Sequence, residues 1–499
     1  MSSNLLHHLY TGRDPDEKAF EFLGGTARTV GSMRHRIGQM AQALRSLGIE
    51  KDDRVSFKLE KSEEVLILAH ACLQLGAILH PLNTAYTDTE ISHLVDDASP
   101  KLFVCHSADS DRFARLLQTR IVPLDPGLLG HLGALAAQAE PLLPLRDVMP
   151  GDTAAILYTS GTTGRPKGAC ITHGNLVHSA LELAKIWRLS KADRLLHALP
   201  LYHAHGLLTA VNSLLVAGGS IVFLPKFEAA DVLAALPGST VVMGVPTHYA
   251  RLCKEEQLAG RCRTLRLAIS GSAPCPHEVS EQFFALSGLR IIERYGATET
   301  AIVTAIPAGV TDRTGWVGWP LPGVDVRVLQ TDGQRFSRSA IGSLETRGPN
   351  VFAGYWRQPD TDALTGDGWF VTGDIAEIDE TGCVKLLGRC RDLIITGGLN
   401  VYPKEVEDAL DALLPGAESA VFGVPHPDFG EAVVAAVVWE GVLADVEPAM
   451  LRRLRQTLAA YKVPKRLISV AHIPRNRMSK VLKNDLRQAY RDLFTKQLN

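Results

Sequence analysis

The sequence predicts an α/β fold: a large N-terminal domain of α/β layers carrying a small β subdomain, followed by a small α+β C-terminal domain. Three observations predict it. Up to about residue 315, short apolar runs rich in β-branched residues alternate with longer helical patterns. Beyond that point the runs become short and turn-bounded, which predicts antiparallel strands. Beyond Arg391 a compact mixed pattern of helices and strands begins, so the domains are expected at 1–390 and 391–499.

The elements follow in order. Thr153–Thr159 reads as a strand, followed by glycines and a helical stretch to Trp187 with Asn175 as its N-cap. Thr240–Pro246 reads as a strand leading into a helix at Thr247. Leu265–Ser270 and Leu289–Glu293 are two more strands, each running into a turn. The β subdomain takes Val324–Leu329, Ser343–Arg347, Ile375–Asp379 and Cys383–Leu387. The C-terminal domain takes a helix near Pro403–Leu413, strands near Ser419–Val424 and Ala432–Trp439, a helix near Pro448–Tyr461 and a last helix after Lys480. No repeat of 20–50 residues is present.

Composition narrows the function classes. Of 499 residues, 46% are hydrophobic and 21% charged, the mix of a globular protein. Lys+Arg is 52 and Asp+Glu is 54, which argues against a nucleic-acid binder working through bulk positive charge. The longest apolar run, Leu207 to Leu224, is broken by Asn212, Ser213, Gly218, Gly219 and Ser220, so buried helix and strand are expected there, not a membrane span. The N-terminal residues lack the basic-then-apolar pattern of a secretory signal, and the eight cysteines form no CxxC pair. A cytoplasmic protein without a disulfide scaffold is expected.

The strongest chemical signal is Tyr158-Thr-Ser-Gly-Thr-Thr-Gly-Arg-Pro-Lys-Gly168. Small hydroxylated residues and glycines let backbone N–H groups approach an anion, and Lys167 adds a point charge. The register Gly161-Thr-Thr-Gly164-Arg-Pro-Lys167-Gly168 is not a Walker A loop. Further strings follow: Pro200-Leu-Tyr-His-Ala-His-Gly206, Gly271-Ser-Ala-Pro274, Glu293-Arg-Tyr-Gly-Ala-Thr-Glu-Thr300, Trp369-Phe-Val-Thr-Gly-Asp374, Gly388-Arg389-Cys-Arg-Asp392, Gly397-Gly-Leu-Asn-Val-Tyr-Pro403 and Pro474-Arg-Asn-Arg-Met-Ser-Lys480. In residue type and order they resemble the adenylate-forming superfamily of acyl-CoA synthetases, luciferases and nonribosomal adenylation domains, over almost the whole chain.

The resemblance implies ATP and CoA as substrates, Mg2+ as cofactor, and no nucleic-acid or membrane partner for a monomer or homodimer. It implies that Thr159, Ser160, Gly161, Thr162, Thr163, Gly164 and Lys167 hold the β- and γ-phosphates, that Glu299 ligates Mg2+, and that Thr298 contacts the α-phosphate. Gly271, Ser272, Ala273 and Pro274, with Glu293, Tyr295 and Gly296, surround adenine; Asp374 and Arg389 take the ribose side. Lys480 serves adenylation, Gly397, Gly398 and Leu399 line the CoA tunnel, and Arg391 is the hinge of a mobile C-terminal domain. His203 lines the acyl and thiol channel.

The acid is read from two arginines. A pocket for fatty acids should be apolar, yet Arg294 stands directly before Tyr295 and Arg251 lies at a strand-to-helix passage. A buried arginine needs a partner, which a second carboxylate on the substrate supplies in bidentate geometry. With His203, His205 and Ser272, this resembles malonyl-CoA synthetases. Ala204 replaces the threonine common there, and the methionine common near Ile302 is absent. Both changes predict room beside the central carbon of malonate, and hence use of methylmalonate. Another short, aryl or medium-chain acid is the alternative.

Overall fold

The computed structural model describes residues 2–142, 144–159, 166–358, 363–396, 399–475 and 480–494. The chain divides into two compact units. The first holds 1–275, 279–325 and 346–370; the second holds 276–278, 326–345 and 371–499. The antiparallel strands expected inside the N-terminal domain thus group with the C-terminal residues, and the expected boundary at 390/391 falls inside the second unit.

The first unit contains two sheets. In the larger, Ile291–Tyr295, Leu267–Ser270, Val241–Gly244, Arg194–His197, Ser220–Phe223 and Lys18–Phe22 lie side by side and parallel. These strands are short and almost wholly apolar because helices cover them. Leu196, Val222, Val242, Ala268 and Ile291 enter one core with Tyr249 of the helix Pro246–Leu252 and Phe283 of the helix His277–Ser287. Every one of the six strands is short, so the C-terminal edge of the sheet is a line of strand-to-loop passages, where α/β sheets place ligands. The second sheet runs Arg120–Pro123, Leu102–Cys105, Arg54–Lys58, Ile78–Pro81, Thr153–Thr159 and Lys167–Thr172. Its last two strands form an antiparallel hairpin pairing Thr159 with Lys167.

The expected strands exist with shifted ends. One shift matters: the strand expected over Leu289–Glu293 runs to Tyr295, which carries Arg294 inside the sheet edge. Two helix starts correct the sequence reading. Thr172, not Asn175, caps the helix His173–Ile186; its hydroxyl accepts from the Asn175 amide at 3.1 Å and Asn175 Oδ1 accepts from the Thr172 amide at 2.8 Å. Asn175 is the third residue of a capping box, and its Nδ2 donates to the carbonyls of Pro349 and Val351. The helix expected from Pro448 begins at Leu443 and ends at Thr457, with the proline inside it. The run from Leu207 to Leu224 is buried helix and strand, as expected, and no helix among the described residues is long and apolar enough to cross a membrane.

In the second unit, the strands Arg335–Phe336, Asp325–Leu329, Ala340–Arg347, Phe370–Ile378 and Val384–Arg389 form one sheet whose outer pairs are antiparallel. A second sheet is built on the hairpin Glu418–His426 and Gly430–Val438, packed against the helices Pro403–Leu413 and Leu443–Thr457.

Candidate active site

The loops at the C-terminal edge of the parallel sheet carry the residues expected to face the acid. Arg294 is 7% exposed, and its Nε and Nη2 have no hydrogen-bond partner among the described residues. Burial lowers its guanidinium only to about 10, so it stays charged at neutral pH. The turn after Ser270 is shaped around it. A Cβ on Gly271 would lie 2.5 Å from Arg294 Nε, so only glycine admits the arginine there. The next residue, Ser272, holds φ +72°, a conformation that costs about 1–3 kcal/mol outside glycine. Its Oγ lies 3.2 Å from His205 Nδ1. His205 is 2% exposed and its Nε2 has no partner. Burial, then the nearby Arg294 charge, lowers His203 to about 4 and holds His205 well below its ordinary value. The cluster is therefore one fixed positive charge among neutral imidazoles.

Glu293 is buried and its Oε2 accepts from the Cys275 amide at 2.9 Å, so it holds the Gly271–Cys275 turn in shape. Ala273 and Pro274 are exposed on that turn, while Tyr295 is buried. Ala204 is half-buried and Ile302 buried. Arg251 does not join this group. It is exposed in the last turn of the helix Pro246–Leu252, where its charge falls on His248 and Glu228. An exposed arginine is satisfied by water, so the argument from burial holds for Arg294 alone.

The residues expected to face the phosphates centre on Glu299. Its Oε1 accepts from Thr159 Oγ1 at 3.1 Å and from the Tyr355 hydroxyl at 2.9 Å. Lys167 Nζ lies 5.2 Å from the centroid of the Tyr355 ring. Glu299 and the half-buried Thr298 sit on the single turn Thr298–Thr300, which is clamped from three sides. The Phe352 amide donates to the Glu299 carbonyl at 2.8 Å, Asn350 Nδ2 to the Thr300 carbonyl at 3.0 Å, and the Ala297 amide to Thr300 Oγ1 at 2.9 Å. A Cβ on Gly296 would lie 1.8 Å from the Ala301 carbonyl oxygen, so the turn closes only with glycine there. Ser160, Gly161, Thr162, Thr163 and Gly164 lie outside the described residues.

The second unit carries the remaining candidates. Asp374 and Arg389 face each other across an antiparallel pair, with Arg389 Nε 2.9 Å from Asp374 Oδ1. Arg391 is exposed on the short turn Cys390–Asp392, and Leu399 is exposed. Gly397 and Gly398 lie outside the described residues. Lys480 stands next to Val481, which bridges back to Arg475. Lys480 as a residue is exposed, yet the atoms crowding its ammonium, then the charges of Arg389 and Arg391, lower it to about 8 against the pull of Asp374 and Asp392.

Residues 10–356 match the model of the AMP-binding enzymes, and residues 405–480 match that of the AMP-binding enzyme C-terminal domain. The chain belongs to the AMP-binding enzyme family. A feruloyl-CoA synthase of Amycolatopsis sp is 34% identical over 475 residues, covering 94% of this chain and 95% of the relative. A malonate–CoA ligase of Arabidopsis thaliana is 30% identical, covering 91% of this chain and 80% of the relative. The crystal structure of ATP-bound MatB from Rhodopseudomonas palustris is 43% identical with a TM-score of 0.94, covering 99% of this chain and 100% of that one. The protein is thus an adenylate-forming CoA ligase. The residue of this cluster that the sequence reading missed is Tyr355, whose hydroxyl donates to Glu299. Tyr355 gives only a weak signal, an aromatic residue just after Gly354.

Proposed function

We propose that this AMP-binding enzyme ligates malonate to CoA. One carboxylate oxygen of malonate attacks the α-phosphorus of ATP, the bond to pyrophosphate breaks, and malonyl-adenylate forms. The CoA thiolate then attacks the activated carbonyl and AMP leaves. The observation that carries the reading is Arg294: a buried, charged guanidinium with two nitrogens unpartnered among the described residues and neutral histidines close enough to feel its charge. A guanidinium in that state costs several kcal/mol unless an anion meets it. The distal carboxylate of malonate is such an anion, and a monocarboxylic acid offers none.

The other residues take roles in this reading that their positions support. Thr159 and Lys167, with the loop between them, hold the β- and γ-phosphates. Thr298 meets the α-phosphate, and the turn Gly271–Pro274 with Tyr295 encloses adenine. Asp374 accepts from the ribose hydroxyls, and Arg389 fixes that carboxylate. Lys480 neutralises charge at the reacting oxygens. The C-terminal domain, hinged at Arg391, brings Lys480 for the first step and the 397–399 segment for the second. Glu299 and Thr159 supply the hard oxygen donors that suit Mg2+. No group of three or more His, Cys, Asp or Glu among the described residues is arranged to hold a metal. When bound, Mg2+ offsets phosphate charge during phosphoryl transfer.

The Lys480 environment predicts a pH profile. The protonated ammonium is the active form, and its value near 8 in the free protein lies well below that of ordinary lysine. The kcat/KM for ATP in the adenylation half-reaction should therefore fall on the alkaline side through about pH 8. A profile flat to pH 10 contradicts the assignment.

The acid is tested by AMP release with malonate, methylmalonate, ferulate, acetate and octanoate, with and without CoA. Malonate and methylmalonate are expected to lead. Ala204 and Ile302 replace larger groups beside the central carbon, and a methyl group that finds an apolar niche gains about 0.8 kcal/mol. Methylmalonate should then lie within about tenfold of malonate in kcat/KM, equivalent to about 1.4 kcal/mol. The pair Ala204→Thr with Ile302→Met should restore selectivity, because overpacking costs about 1–3 kcal/mol. A wild type that already rejects methylmalonate removes these residues from the pocket. A second reading, an aryl-acid ligase, draws on the likeness to feruloyl-CoA synthase. Arg294 speaks against it, and a lead for ferulate in the same assay would establish it.

A further inference from the structure

Among the described residues, Lys61 meets a histidine and not a carboxylate. It precedes Ser62, the N-cap of the helix Glu63–Leu75, and its Nζ lies 2.7 Å from His197 Nδ1 and 2.9 Å from the His197 carbonyl. Nζ also stands 4.3 Å from the centroid of the Phe223 ring, which stacks on the His197 ring with 5.6 Å between centroids. The residue is partly exposed, but its amine end is held between two buried rings. The Gly206 carbonyl, 3.0 Å from His197 Nε2, can only accept, so the proton of the neutral ring sits on Nε2 and Nδ1 accepts from Lys61. Burial pushes Lys61 well below the ordinary lysine range, and its Nζ donates in either protonation form. The partnerships form a chain from Lys61 through His197 to Gly206.

Gly206 lies where the acid-facing segment turns. A Cβ on it would stand 2.0 Å from the Pro200 carbonyl oxygen, so the loop from Pro200 folds back onto this point. A π-helical turn, His205–Ala210, begins here, a geometry uncommon in itself and enriched at functional sites. Just ahead lie His203 and His205, the neutral imidazoles beside Arg294, and the His205 amide donates to His203 Nδ1 at 3.2 Å. The Gly206 carbonyl also accepts from the Val211 amide at the end of this turn.

We propose that Lys61 is a positioning residue: its Nζ donates to Nδ1 and holds His197 as the Nε2–H tautomer, and that N–H anchors Gly206 so that His203 and His205 keep their places beside Arg294. The kinetic consequence rests on the acid-binding reading above; the tautomer does not. Burial, then the neighbouring Lys61, holds His197 well below the ordinary imidazole range, so its ring is neutral.

The test has two arms. In ¹⁵N-histidine-labelled full-length protein, the His197 signal is identified by its loss in His197→Gln. At neutral pH its Nδ1 is expected to be unprotonated and its Nε2 protonated. A proton on Nδ1 overturns the proposal whatever acid the enzyme uses. The second arm is a double-mutant cycle with the acid that the wild type turns over best. Lys61→Met keeps the length of the side chain and should raise the KM for the acid about tenfold, the scale of a buried hydrogen bond, with the KM for ATP moving less than about twofold. His197→Gln retains an amide donor for Gly206 and removes the Nδ1 acceptor. In that background Lys61→Met should have almost no further effect. Equal effects of Lys61→Met in both backgrounds, or equal rises in both KM values, overturn the proposal. If malonate is inactive and another acid is active, the acid assignment fails while both arms still report on Lys61.

Discussion

Replacing Lys480 with alanine is expected to slow malonyl-adenylate formation on the order of 10³-fold, the scale at which a single cation contributes to phosphoryl transfer. The step brings a carboxylate onto a phosphate, so charge repulsion dominates the barrier and one ammonium at the reacting oxygens removes much of it. Lys480 is exposed, so the substitution should cost the fold within about 0.5 kcal/mol. The loss is then chemical, not structural. Malonate-dependent exchange of pyrophosphate into ATP reads the first half-reaction alone. Thioester formation from supplied malonyl-adenylate and CoA reads the second, and it should change little. Equal damage to both half-reactions contradicts the division of labour between Lys480 and the 397–399 segment.

Arg294→Ala is expected to lower kcat/KM for malonate by about 2–5 kcal/mol, the cost of truncating one partner of a buried charge pair. Arg294→Lys should fare poorly as well, since an ammonium does not reproduce the guanidinium fork. ATP-dependent steps assigned to Thr159, Lys167 and Glu299 should keep their KM for ATP. Stability should move the other way. In the free protein the guanidinium is buried with Nε and Nη2 unpartnered among the described residues, and such a charge costs more than an apolar side chain of similar volume. Arg294→Met should therefore melt no lower than wild type while losing activity on malonate. A variant that is both inactive and strongly destabilised would make Arg294 a structural residue.

Much of the site was legible because it lies at strand ends. Each of the strands near Leu265–Ser270 and Leu289–Glu293 was bounded by a glycine-containing turn; those turns carry Gly271, Ser272 and Glu299, and Arg294 lies at the end of the second strand. The parallel sheet was readable for the same reason, since its strands are continuous apolar runs. What failed depended on facts that local sequence does not carry. Arg251 sits on a helix of seven residues, too short for periodicity to say which side faces water. Asn175 and Thr172 are both good capping residues, and the choice turned on which one took the extended conformation, φ −89° and ψ 163° at Thr172. Tyr355 and Lys61 act on partners 56 and 136 residues away, and no spacing rule reaches that far. The grouping of the antiparallel strands with the C-terminal residues is likewise a tertiary fact, set by packing rather than by the turn residues that bound each strand.

The central claim is that Arg294 holds the distal carboxylate of the acid. The most direct measurement compares malonate with its monomethyl ester, which keeps the carboxylate to be activated and removes the charge at the other end. In wild type, kcat/KM for malonate should exceed that for the ester by about 2–5 kcal/mol, at least thirtyfold, and in Arg294→Met the two should converge. A wild type that uses the ester as well as malonate would contradict the account.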